Sequence, residues 1–200
     1  MYTVENDVDA NGEITRLITD WQNGEPAAES ALFEAIYARL HQIAKQHVRG
    51  ERPSATLSAT ALVHDAYLRL SRSVPVDIAG SAHLMRLMSR VMRQLLVDRA
   101  RAHRATKRDG GEAIPDGAER VAATERDADE ILAVHRALDK LERNGSKLRK
   151  ELVELRFFGG YSMEECSAIL GVPLRTLHNH WKAAKLAMRE EMDDNERRTD

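Results

Sequence analysis

Tyr161-Ser-Met-Glu-Glu-Cys-Ser-Ala-Ile-Leu-Gly-Val-Pro-Leu-Arg-Thr-Leu-His-Asn-His-Trp-Lys182 decides how this chain is read. Ser162 suits an N-cap, and Glu164 and Glu165 follow where the first turn of a helix favours negative charge. Gly171 permits a sharp turn, and Pro173 presets the backbone for a second helix. A short helix, a glycine turn and a second helix form the helix-turn-helix pattern. At about 100° per residue, Leu177, Trp181, Ala184 and Met188 share one side of the second helix. Arg175, His178, Asn179 and Lys182 share the other, with Thr176 beside them. Exposed donors near a helix N-terminus suit base edges and phosphates. The plain alternative is an αα-hairpin with a solvated polar face. No acid interrupts the row before Glu190, which favours DNA.

Outward from this stretch, the chain keeps a helical vocabulary of Leu, Ala, Met, Arg and Glu, with aromatics at only 4%. Breaks at Asn144-Gly145, Gly159-Gly160 and Gly171-Val172-Pro173 divide the C-terminal part into helices at about 129–141, 147–158, 162–170 and 174–190. Toward the N-terminus the pattern predicts helices at about 14–22, 27–48, 61–72 and 81–107. The residues from Ser54 to Thr60 offer N-caps for the third of these. Residues 109–126, rich in glycine and acid, read as a flexible linker. The fold class is therefore all-α, with two small helical domains at about 12–108 and 127–192.

Charge is segregated along the chain although the total is only −2. From Arg86 to Arg108 eight basic residues face one acid, a net of +7. From Glu112 to Glu142 nine acids face four bases, a net of −5. On the long helix, Leu84, Leu87, Met88, Val91, Met92, Leu95 and Leu96 form an apolar stripe. Arg86, Arg90, Arg93, Arg101, Arg104, Lys107 and Arg108 fall on the opposite face, and Arg99 lies off it. Such a row repels itself unless a polyanion neutralises it, which a DNA backbone does. The acidic linker is a rival for the same faces in the free chain.

Two hundred residues make one or two domains. The single cysteine, Cys166, excludes a disulfide framework and a Cys-rich zinc site, and its place on an apolar face makes it a packing residue. No histidine pair has ligand spacing on one helix face, and the Gly-Gly pairs lack the context of a phosphate loop. The expectation is a non-enzymatic protein with no cofactor and no metal. With no apolar run near 18 residues and no signal-peptide pattern, a cytoplasmic chain with no membrane partner is expected.

Four segments in register resemble the extracytoplasmic-function (ECF) sigma factors of bacterial RNA polymerase. They are Asp20-Trp-Gln-Asn-Gly-Glu with Ala31-Leu-Phe-Glu-Ala-Ile-Tyr37, and Ala61-Leu-Val-His-Asp-Ala-Tyr-Leu-Arg-Leu70. Met92-Arg-Gln-Leu-Leu-Val-Asp-Arg-Ala-Arg-Ala-His-Arg104 and Leu155-Arg-Phe-Phe-Gly-Gly-Tyr-Ser-Met-Glu-Glu165 complete the set. The resemblance implies that the first domain binds the polymerase clamp and opens the minus-ten promoter element. It implies that the second reads the minus-thirty-five element and docks on the polymerase flap. Leu62, Asp65, Leu68 and Arg69, on a helix apolar nearly all round, inherit polymerase docking. A helix-turn-helix repressor or activator acting without polymerase is the alternative.

The chain departs from that family's pattern in two places. The loop from Ser73 to His83 has no Phe, Tyr or Trp for stacking on a flipped base. Where many relatives carry Asp-Ala-Glu-Asp before the docking helix, this chain has Ser58-Ala59-Thr60-Ala61. A phosphate on Thr60, or on Ser58 as second choice, would restore negative charge at a helix N-terminus. The partners expected are thus core RNA polymerase, promoter DNA, and a Ser/Thr kinase or an anti-sigma factor.

Overall fold

A computed structural model describes residues 5–47, 53–73, 78–108 and 125–197, and no strand occurs among them. The helices are α1 (Glu5–Gln22), α2 (Pro26–His47), α3 (Pro53–Ser73), α4 (Ser81–Arg108), α5 (Glu125–Arg143), α6 (Lys147–Val153), α7 (Met163–Leu170) and α8 (Leu174–Arg197). A π-helical turn, Glu154–Phe158, continues α6. The all-α reading holds. The expected linker lies outside the described residues up to position 124, and its last two residues belong to α5.

The local chemistry accounts for the C-terminal elements. Ser162 Oγ accepts from Glu165 N–H at 3.1 Å, while the Glu165 carboxylate accepts from Ser162 N–H, a capping box that fixes the start of α7. Gly171 ends α7 in the left-handed region at φ 64°, where a side chain would be strained. Residue spacing predicts plain helix over 147–158, because one widened turn leaves no mark on it. The turn shows in the bonds: Gly159 N–H reaches Glu154 C=O at 3.0 Å, and Tyr161 N–H reaches Leu155 C=O at 3.1 Å.

Two helices begin earlier than their sequence signals. α1 starts at Glu5 rather than Ile14. α3 starts at Pro53, eight residues before Ala61, since a proline costs little in a helix's first turn. The hydroxyl-rich run that reads as caps and turns is thereby helix body, and Ala59 within it is buried. Thr60 consequently lies two turns into α3 and does not cap it. Ser58 lies in α3 too, with its side chain outside the described residues.

α4 is the spine of the molecule. Its Leu84, Met88, Met92 and Leu96 join Leu40 and Ile43 of α2 and Leu62 and Leu70 of α3 in one cluster. That cluster runs on into the C-terminal half through Leu138, Val153 and Phe158. A second cluster sets Met85 of α4 against Leu152, Leu155, Tyr161, Cys166 and Leu177. Each fully buried Leu or Phe contributes about 1.5–3 kcal/mol relative to exposure. The two halves expected as separate domains thus share packing across α4. Their approach is close at Gly159, where an added Cβ would fall 2.3 Å from Ser89 Oγ of α4. No described helix is long and apolar enough to cross a membrane.

Candidate nucleic-acid interface

α8 arranges its side chains as the spacing predicts. Leu177 and Ala184 are fully buried, with Trp181 and Met188 packed beside them. Arg175, Thr176, His178, Asn179 and Lys182 are exposed. The row begins one residue into α8, just past the Gly171 turn, and α7 is held in place by its capping box. Burial of the inner face of α7 pushes the Cys166 thiol up to about 12, so it stays protonated and serves packing.

The cationic face of α4 is a different surface. Arg93 donates to Glu154 Oε1 at 2.6 Å and to Asp139 Oδ1 at 2.9 Å, and a guanidinium nitrogen lies 2.6 Å from His135 Nδ1. The Arg93 side chain is only 11% exposed and that of Glu154 only 6%. Arg90 stands 3.9 Å from the other Glu154 oxygen, and Arg104 pairs with Asp129 at 3.3 Å. Arg101 lies 3.2 Å from His135 Nε2, and Arg86 donates to the Ile169 carbonyl at 3.2 Å. The five arginines of that face whose side chains are described therefore each meet a group of the C-terminal half. Lys107 and Arg108 have side chains outside the described residues.

α3 resolves a helix that periodicity left ambiguous. Leu62 is fully buried in the core, so it packs and does not present itself to a partner. Val63, Ala66 and Leu70 are buried with it, which is why the helix reads as apolar nearly all round. Asp65 and Leu68 face outward, Leu68 at 39% exposure. Asp65 pairs with Arg99 at 2.8 Å and Arg69 with Asp98 at 2.9 Å, tying α3 to α4.

Residues 11–194 match the family ECF sigma factor. The chain belongs to the ECF sigma factor family. Comparisons with curated proteins and with solved structures give no match. Membership makes this sigma factor a transcription initiation protein that works with RNA polymerase on promoter DNA, a regulator and not an enzyme.

Sequence reasoning missed the acids that this sigma factor sets against α4. Asp129 and Asp139 fall in the helix expected at about 129–141, and that helix, α5, lies along α4. Arg39 was also missed. It stacks over the Tyr161 ring at 4.3 Å and donates to Glu165 at 3.0 Å, joining α2 to α7. Burial pushes the Tyr161 hydroxyl up to about 12. The net −5 block was the sequence signal for Asp129 and Asp139, and no signal in the sequence pointed to Arg39.

Proposed function

We propose that this sigma factor reads the minus-thirty-five element with α7 and α8 acting as a helix-turn-helix. Arg175, Thr176, His178 and Asn179 contact base edges and nearby phosphates, and Lys182 contacts phosphate. The observation that carries the reading is the exposed, acid-free row on α8, set just past a capped α7 and a left-handed glycine turn. Arg86, Arg90, Arg93, Arg101 and Arg104 of α4 serve the minus-ten element once that face is uncovered. Asp65, Leu68 and Arg69 present the outward side of α3 to the polymerase clamp, and the C-terminal half docks on the flap. The chain divides for this purpose into an N-terminal unit at 12–108, a linker at 109–126 and a C-terminal unit at 127–192, and works in the cytoplasm.

Regulation by an anti-sigma factor fits the family. A kinase acting on Thr60 is the second route, and there the phosphate would add charge to the body of α3 without the helix N-terminus that favours an anion. Run-off transcription with core polymerase tests the whole reading. Promoter-dependent transcripts support it. Tight promoter binding by the chain alone, with no transcripts when core is added, would replace it with a repressor or activator.

A further inference from the structure

We infer that the unbound factor shields itself: α5, the π turn and α7 occupy the α4 arginines that promoter DNA would use, so polymerase and DNA must displace an intramolecular partner. The inference rests on the proposed role of α4 in binding the minus-ten element. It goes beyond that role, because it concerns what covers this face before DNA arrives.

The contacts argue for competition over one set of groups. An Arg93 guanidinium held by Glu154 and Asp139 has its donors directed at carboxylates, as a phosphate would direct them. It is too buried for a DNA backbone to reach. The π turn contributes by burying Glu154 between Arg90 and Arg93. From α2, Arg39 adds a further tie to Tyr161 and Glu165. Gly159 lets the C-terminal half lie flush on Ser89. The α8 row is left open throughout. The closed chain therefore offers its minus-thirty-five reader while burying Arg93 and engaging the half-exposed Arg90 and the exposed Arg101 at the surface, and only a partner that binds the open form better shifts the balance.

The double variant Arg104→Cys/Asp129→Cys tests this on the full chain, because those side chains meet across the interface at 3.3 Å. Cys166 is buried and leaves the two new thiols to react with a short, thiol-cleavable bismaleimide. The cross-link should form readily. The cross-linked chain should then bind a minus-ten fork DNA about tenfold or more weakly than the same chain after cleavage, a difference of about 1.4 kcal/mol. A single-ended maleimide on the same variant should show no such loss. Equal fork binding before and after cleavage, or failure of the cross-link to form, overturns the shielding.

A second variant, Glu154→Gln/Asp139→Asn, keeps every α4 cation and removes the carboxylate charges that hold Arg90 and Arg93. It should bind the fork more tightly than wild type and show a larger radius in X-ray scattering. An unchanged radius with unchanged fork affinity counts against the inference. Wild-type run-off transcription with core polymerase separates the two failures. Transcripts without any shielding effect sink the inference alone. Absence of both transcripts and fork binding in every form sinks the α4 reading and the inference with it.

Discussion

The α4 and α8 faces carry the same kind of signal in sequence, a row of donors opposite an apolar stripe, and the fold treats them oppositely. On α8 the row stays in water. On α4 each of the five arginines meets a carboxylate, an imidazole or a carbonyl of the C-terminal half. A cationic stripe thus reports that an anion is wanted without saying whose. Here the same chain supplies one. The energetic consequence is that the buried Arg93 carries stability in the free protein, whereas α8 side chains are free to serve recognition alone.

The sharpest way to break that comparison is to truncate one residue on each face. Arg93→Ala leaves Glu154 buried without its strongest partner and should cost about 3–5 kcal/mol, the penalty for an uncompensated buried charge. Arg175→Ala removes an exposed side chain and should stay within about 0.5 kcal/mol. Urea unfolding of both variants checks this. Similar midpoints for the two would erase the distinction between a paired face and an open one.

The next effect sharpens the α8 side. Asn179→Ala should cost roughly 1–3 kcal/mol at one promoter position and relax preference there. Lys182→Ala should weaken all promoters alike and lower the salt slope by about one unit. Binding measured across a set of single-base promoter variants and several salt concentrations separates the two. A uniform loss from Asn179→Ala, with base preference intact, would move that residue from base edge to backbone.

Much of this was legible because it is local. The Ser162 cap, the Gly171 turn and the burial of Leu177 and Ala184 depend on near neighbours, which spacing encodes directly. α3 misled for a related reason. The Ser and Thr residues from Ser54 to Thr60 have local preferences for caps and turns, and helix context with a buried Ala59 overrides them. Leu62 showed as apolar, but which partner covers an apolar residue is a tertiary fact. The α4 pairings were hidden in the same way. Glu154 stands 61 residues from Arg93 and Asp139 stands 46, so no window on the sequence contains both ends. The complementary +7 and −5 blocks hinted at attraction between the segments without assigning partners.

The smallest expected effect concerns His135, which sits in the covered face with a guanidinium at each ring nitrogen. Arg93 and Arg101 face it from α4, and Arg136 and Asp139 from its own helix. Burial, with Arg93, Arg101 and Arg136, lowers its pKa from the ordinary 6.5, against the opposing pull of Asp139. A neutral ring can accept from one arginine, whereas an imidazolium would point N–H groups at both. The sign follows from proton counting. The open form, with an ordinary histidine, binds more protons than the closed one, so closure is fully supported above about pH 6.5 and weakens as pH falls below it. Fork DNA binding should therefore strengthen on mild acidification by more than the general gain that cationic proteins show. His135→Gln keeps a hydrogen-bonding side chain that does not titrate and should abolish the extra gain, while His178→Gln on the open face should leave it in place. If His135→Gln and wild type respond to pH identically, the histidine is a passive filler of the interface and the covering of α4 rests on its carboxylates alone.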